Sequence, residues 1–272
     1  MRVTAQLTRM NADELSRRDF FTGSLAFSAP ALLAAVALPA AAAEPNDAGS
    51  RRTLSVVCVG AHPDDPESGC AGTFARYALL GHLVTNIYLT RGERGIKGKS
   101  DAEAAAIRST ECVAACQIIG ATPVFAGQID GSAEMTRARA DEMLKLLSAE
   151  SPDLLFTHWP MDTHFDHQVA SMLAIRAYLA MQKRPQLYFF EVNTGSQSQN
   201  FLPNCYVDIT AVAEKKKQAL LAHVSQDGAG IWRQHHEPVA LFRGREAGVG
   251  MAEAFVHLMR DSQRSPLPGL AG

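Results

Sequence analysis

Apolar stretches of strand length alternate along this chain with longer stretches whose apolar residues recur at helical spacing. The strand-like runs are TLSVVCVGA, LVTNIYLT, TPVFAG, DLLFTHW and QLYFFEV, beginning at positions 53, 83, 122, 153 and 186. Helical spacing covers Gly69 to Leu80, Asp101 to Ile119, Ala133 to Ala149 and His167 to Met181. The alternation predicts βαβ units, and hence an α/β fold with a doubly wound, mostly parallel sheet in a three-layer α/β/α sandwich.

The last third of the chain has a different pattern. A loop rich in Gly, Ser, Gln and Asn runs from Asn193 to Asn204, and CYVDIT then follows as a sixth strand. The spacing after it predicts a helix from Ala213 to His223 and a final helix from Ala252 to Arg260. Because this part is short, we interpret it as an elaboration of one domain covering 53–272.

The first 43 residues resemble a twin-arginine export signal. SRRDFF supplies the pair Arg17 and Arg18, and an Ala- and Leu-rich run leads to a cleavage position near Ala43. A linker at 44–52 would follow. The alternative is an uncleaved transmembrane anchor, which Pro30 and Pro39 disfavour. We therefore expect a periplasmic or extracellular protein with no stable membrane span after cleavage.

Composition narrows the class of partner. A net charge of -2 over 272 residues provides no basic face for nucleic acid. Five cysteines are an odd number, and the twin-arginine route is understood to carry already folded proteins, so we expect free, structural cysteines. The oligomeric state is not indicated.

Charged residues crowd the ends of two predicted strands. His62, Asp64 and Asp65 follow the first strand, where a phosphate loop would be rich in glycine, and two aspartates would repel a phosphate. A cation fits better, because His and Asp are ligands for borderline divalent ions. FTHWPMDTHFDHQVA places a second cluster after the fourth strand. Parallel strands end at one edge of the sheet, so the clusters can form one site.

AHPDDPESGCAGT together with DTHFDH resembles the LmbE-like, or PIG-L, family of zinc-dependent de-N-acetylases. The secondary features LTRGERG, RSTE, QIDG, VDITAVAEKKKQALLAHVSQ and GVGMAEAF extend the resemblance over most of the mature chain. Ala71 in place of the commoner Gly, and Arg91 before GERG, depart from the family pattern.

The resemblance implies a role for each matching residue. His62, Asp65 and His167 would bind one zinc ion per chain, with another divalent metal such as Fe²⁺ as the alternative. Asp64 would be the general base, and His164 the acid or the stabiliser of the oxyanion. Arg108 and Asp130 would hold sugar hydroxyls.

Other residues of the clusters have open roles. We expect Asp166 to orient a ligand histidine, whereas Asp162 either does the same or ends the turn. His158 is equally consistent with a buried, hydrogen-bonded histidine and with a substrate contact. His223, His235 and His236 are candidates for a pocket wall, and the KKK run at 215–217 is interpreted as a solvated helix face.

The sequence thus predicts an exported zinc hydrolase that removes the N-acetyl group from an N-acetylglucosamine-containing glycan or glycoconjugate. One alternative is a zinc amidohydrolase acting on another acyl amide. A second is a carbohydrate- or metal-binding protein without turnover, which the unligated carboxylate predicted at Asp64 disfavours.

We expect replacement of both Arg17 and Arg18 by lysine to leave active enzyme in the cytoplasm, because recognition for export depends on the arginine pair while folding depends on the mature chain. Cell fractionation followed by activity assays measures this. Undiminished periplasmic activity of the double variant would contradict the twin-arginine assignment.

Overall fold

The computed structural model describes residues 52–258, so the predicted signal at 1–43, and the linker at 44–52 apart from Arg52, lie outside the described residues. The strands are β1 Ser55–Gly60, β2 Leu83–Tyr88, β3 Thr122–Phe125, β4 Leu154–His158, β5 Gln186–Phe190, β6 Cys205–Asp208 and β7 Ala252–His257. The helices are α1 Asp65–Leu79, α2 Asp101–Ile119, α3 Arg137–Glu150, α4 Phe165–Ala180, α5 Ala213–Leu221, α6 Gly228–Ile231 and α7 Glu237–Ala247, with a π-helical turn at Trp232–His236.

The seven strands form one sheet in the order β3-β2-β1-β4-β5-β7-β6. Strands β1 to β5 are parallel, while β7 pairs antiparallel with both β5 and β6. Because β1 lies between β2 and β4, the chain leaves β1 and β4 toward opposite faces and opens a crevice between their carboxyl ends. The predicted fold class is confirmed, and both charged clusters lie at this crevice.

Apolar side chains alternate across the sheet and form a core on each face. Val56 and Cys58 of β1 pack with Phe74 of α1 on one face, where α2, α5 and α7 also contribute. Val57 and Val59 face the other side, which α3 and α4 cover. Burial on both faces explains the continuous apolar runs of the parallel strands.

The predicted final helix at 252–260 is wrong. Ala252–His257 forms β7, which inserts between β5 and β6. AEAFVH is too short for its periodicity to distinguish the two structures, and pairing with two distant strands determines the outcome. The helical segments at 228–247 were not predicted. Within residues 52–258, no helix is both long enough and apolar enough to span a bilayer.

The KKK run is only partly solvated, which corrects the interpretation of 215–217. Lys216 is buried, and its Nζ donates to Ser68 O at 2.6 Å and lies 2.5 Å from Glu253 Oε1. The Glu253 carboxylate also accepts the backbone N–H groups of Gly72 and Thr73 in α1. A buried ion pair therefore joins α5 and β7 to the helix that begins at the first charged cluster.

Replacing Lys216 by Met should lower the free energy of unfolding by about 3–5 kcal/mol, because it leaves the buried Glu253 carboxylate without its cation. Chemical denaturation measures the change. Lys215→Met, on the exposed side of the same helix, is the matched control and should stay within about 0.5 kcal/mol of the parent. Equal changes in the free energy of unfolding for the two substitutions would show that the buried ion pair contributes no more stability than an exposed lysine.

Candidate metal centre and active site

The two charged clusters meet at the carboxylate of Asp65, the first residue of α1. Its Oδ1 lies 3.3 Å from His167 Nε2, and its Oδ2 lies 3.3 Å from His62 Nδ1. Oδ2 also accepts the backbone N–H of His62 at 2.7 Å. The three residues predicted to bind metal are therefore in mutual contact, although they come from the ends of two strands.

Two aspartates hold the far side of the His62 ring. His62 Nε2 lies 3.2 Å from Asp130 Oδ1 and 3.2 Å from Asp166 Oδ2, and Asp166 Oδ2 is fixed by the backbone N–H of Gly131 at 2.6 Å. Burial opposes charge on His62, but these hydrogen bonds outweigh it and raise the pKa of the imidazole well above its ordinary value. The ring is therefore protonated on both nitrogens when no metal is bound. Loss of the Nδ1 proton, with Nε2–H still held by the two aspartates, would give the tautomer that a metal ligand requires.

Asp162 has the corresponding position beside His167. Its Oδ1 lies 3.2 Å from His167 Nδ1 and accepts the backbone N–H of His164 at 2.8 Å. Burial lowers the pKa of His167, whereas Asp65 and Asp162 raise it, and the result is a pKa of about 9. At neutral pH this pKa keeps the ring protonated. A metal cation that binds Nε2 of His167 would have to displace the proton on that nitrogen.

His158, whose role was open, packs behind the cluster. His158 is a buried residue at the end of β4. Its Nε2 accepts a hydrogen bond from the backbone N–H of Ala61 at 3.1 Å and lies 3.3 Å from Asp65 Oδ2. Its ring stacks on that of His167 with centroids 4.1 Å apart. Burial, and then the charge of His167, lower its pKa to about 4, so the ring is neutral and supports the positions of Asp65 and His167.

The donor set fits a divalent cation. Within residues 52–258, three groups of donor atoms lie within 4.8 Å of one another: His62 with His164 and His167, Asp65 with His158 and His167, and His62 with Asp130 and Asp166. Imidazole nitrogens and carboxylate oxygens suit Zn²⁺, and the outer nitrogens of His62 and His167 already have carboxylate partners. His62, Asp65 and His167 would hold the ion.

Asp64 belongs to none of these groups and has a different environment from its neighbour. Its backbone lies in the left-handed region at φ 116°, and its Oδ2 accepts from Arg108 Nη2 at 3.0 Å. Burial raises the pKa of the Asp64 carboxyl, while Arg108 lowers it. The side chain retains 20% exposure and lines the cavity, so a carboxylate without a predicted metal bond faces the space where a substrate would bind.

Glu67 fixes Asp64 from inside the protein and was missed from the sequence. Its Oε2 accepts the backbone N–H of Asp64 at 3.2 Å, and its Oε1 accepts from Tyr88 Oη at 2.5 Å. His223 Nε2 lies 3.6 Å from Oε2, so this histidine is buried behind Asp64. The spacing Asp64-x-x-Glu67 is a capping-box pattern and could have indicated the contact.

His164 caps the N-terminus of α4 and lines the same cavity. Its Nδ1 accepts the backbone N–H of Asp166 at 3.2 Å, so in the neutral ring the proton is on Nε2. Burial and the charges of His62 and His167 lower its pKa. His164 can therefore donate a hydrogen bond to an oxyanion at neutral pH.

Arg108 and Asp130 both line the cavity, yet each has a partner within the protein. Arg108 is almost fully buried and donates to Pro63 O at 2.6 Å as well as to Asp64. Asp130 contacts His62 and accepts the backbone N–H of Arg94 at 3.1 Å. These contacts position the base and a metal ligand, and contact with sugar hydroxyls stays a prediction for both residues.

The cavity at this edge of the sheet has a volume of about 310 Å³. Its lining residues come from both charged clusters, from the segment between β2 and α3, and from the C-terminal part: His62, Asp64, Asp65, Ser68, Arg94, Gly95, Arg108, Asp130, His164, His167, Val192, Asn193, Gln197, Gln226, Ile231 and His236. His236 was a predicted candidate for the pocket wall and does line the cavity, whereas the other lining residues of the C-terminal part were not predicted.

Comparisons with known proteins agree with the motifs. Residues 57–178 match the family described as PIG-L: GlcNAc-PI de-N-acetylase. Diacetylchitobiose deacetylase of Thermococcus kodakarensis is 29% identical over 216 residues, covering 73% of this chain and 80% of that protein. The structure of N,N'-diacetylchitobiose deacetylase from Pyrococcus horikoshii is 26% identical, with a TM-score of 0.66 over 75% of this chain and 83% of that one.

The same fold also occurs with a different reaction. GalB, the 4-carboxy-2-hydroxymuconate hydratase from Pseudomonas putida, has a TM-score of 0.71 at 23% identity, covering 78% of this chain and 99% of that one. This likeness shows a shared fold alone. Evidence about the reaction comes instead from the residues of the site and from the sequence similarity to deacetylases.

The adjacent aspartates provide the sharpest test of the site. Asp64→Asn should keep the metal and lower hydrolysis about 10²–10⁴-fold, because it removes the base but not a ligand. Asp65→Asn should lose metal affinity first, because a neutral amide replaces the anionic ligand. Metal content, melting temperature and turnover would be measured in parallel, and equal metal loss in both variants would contradict the assignment.

Proposed function

We propose that the protein, whose residues 57–178 match the PIG-L family of de-N-acetylases, is an exported, zinc-dependent hydrolase that removes the N-acetyl group from an N-acetylglucosamine-containing glycan. The observation that carries the proposal is the contrast between Asp65, held by two histidines, and Asp64, held by Arg108 beside the cavity. The similarity to two diacetylchitobiose deacetylases supports an acetamidosugar as the substrate.

Zinc held by His62, Asp65 and His167 would lower the pKa of a bound water toward about 7 and polarise the acetyl carbonyl. In the proposed reaction, Asp64 accepts the proton of the attacking water. Arg108 keeps that carboxylate in place through a 3.0 Å hydrogen bond, and the left-handed backbone of Asp64 separates its side chain from that of Asp65.

His164 completes the proposed mechanism. With Nδ1 engaged by the N–H of Asp166, its Nε2–H can donate to the oxygen that gains negative charge during attack. The C–N bond then breaks, Asp64 returns its proton to the leaving nitrogen, and acetate and a free amine are formed. The neutral state of His164 is the one that can donate without adding a cation beside the metal.

Zinc-loaded protein should release acetate from N,N'-diacetylchitobiose, and chelation should abolish this activity until zinc is restored. Acetate and the free amine would be quantified together, since the proposed reaction forms them in equal amounts. Zinc-loaded Asp64→Asn is the control for adventitious hydrolysis. Acetate release that persists after complete metal removal, or no release from any acetamidosugar tested, would contradict the proposal.

A further inference from the structure

Among the cavity-lining residues that have an unpaired buried polar atom within residues 52–258, two lie outside the set to which the mechanism above assigns a role. They are His236, through Nε2, and Asn193, through Oδ1, and both atoms are buried. An unpaired buried polar group is costly, so such atoms call for an explanation. Neither residue belongs to the metal motifs, and neither takes part in the mechanism above.

Both residues border the same two spaces. They line the main cavity, and they also line a much smaller neighbouring cavity of about 20 Å³. The smaller space has room for about one water molecule. A hydrogen-bonding group of a substrate in the main cavity could reach both atoms, and one water in the small cavity is the competing explanation.

His236 is presented by an irregular helix. It ends the π-helical turn Trp232–His236, directly before α7, and only 5% of the residue is exposed. Single π-turns within helices are rare and occur frequently at functional sites. His235, its neighbour on the same turn, does not line either cavity.

A buried ion pair braces the segments that carry the two residues. Arg243 of α7 donates to both carboxylate oxygens of Glu191 at 2.7 Å, and Glu191 lies two residues before Asn193. Asn193 itself has a left-handed backbone at φ 44° and donates from Nδ2 to Gln197 Oε1 at 2.6 Å. The two unpaired atoms are thus held in fixed positions before any ligand arrives.

The chemistry of these atoms favours a neutral, hydroxyl-bearing ligand. Burial, and then the charge of Lys216, lower the pKa of His236 to about 3, so its ring is neutral at physiological pH. A neutral imidazole and an amide oxygen cannot compensate a carboxylate or a phosphate. A hydroxyl group both donates and accepts, and it can therefore satisfy either atom.

We propose that His236 and Asn193 form a subsite that binds hydroxyl groups of the sugar ring carrying the acetamide. This subsite deepens the proposed function and rests on it. It lies in the C-terminal part of the chain, outside the residues 57–178 that match the family. The metal motifs would then determine the bond that is cleaved, and this subsite would contribute to the choice of substrate.

His236→Ala should lower kcat/KM for N,N'-diacetylchitobiose about 3- to 10-fold, the effect of one lost hydrogen bond to a neutral partner. The inhibition constant of N-cyclohexylacetamide, an acetamide on a ring without hydroxyls, should stay unchanged, as should zinc content. His236→Gln should recover part of the loss. Asn193→Gly, which tolerates the left-handed backbone, should act in the same direction as His236→Ala.

His235→Ala is the matched control and should have the kinetics of the parent. If His236→Ala weakened kcat/KM for the sugar and inhibition by N-cyclohexylacetamide by the same factor, the subsite would be overturned. It would also be overturned if His236→Ala had an unchanged kcat/KM but a lower melting temperature, because that result is expected when the two atoms only bind a structural water. Suppose that calorimetry shows weaker sugar binding by His236→Ala than by the parent, and that the parent releases no acetate. This result would support the subsite and contradict the proposed reaction. Neither binding nor turnover by the parent would overturn both.

Discussion

The site depends on the burial of one negative charge, the carboxylate of Asp65. Only 3% of this residue is exposed, and a buried carboxylate is tolerated only when it is paired and hydrogen-bonded. Burial raises its pKa, but the charge of His167 and the contacts that His167 and His158 make with the carboxylate lower it well below its ordinary value. These partners come from β4 and α4, so the charge can be buried only where β1 and β4 lie side by side.

The parallel part of the fold and the two clusters could be predicted because their signals are local. Each strand is one apolar run, and each cluster directly follows its strand. β7 could not be recognised, because six residues with mixed propensity become a strand only through pairing with β5 and β6. Lys216 was misinterpreted for a related reason: its partner Glu253 is 37 residues away, and nothing near the KKK run indicates burial.

Local conformation explains how two adjacent residues of the same type have different environments. The left-handed backbone at Asp64 and the start of α1 at Asp65 separate the two side chains. One contacts Arg108 from α2, and the other contacts histidines from the loop after β1 and from α4. The motif alone indicates two aspartates. The difference between their environments depends on Arg108, which is 44 positions from Asp64 in the sequence. Strain at a single residue is tolerated here because Glu67 and Arg108 hold it from two sides.

The ion pair between Lys216 and Glu253 has a consequence for the order of folding. Glu253 binds backbone N–H groups of α1 that lie 181 and 180 positions earlier in the chain. Such long-range contacts form late, since a large loop must close before they contribute stability. The helix that carries Asp65 thus receives this support from β7, the last strand in chain order within residues 52–258. In a chain that is still being synthesised, α1 would therefore lack this support until residue 253 has been added.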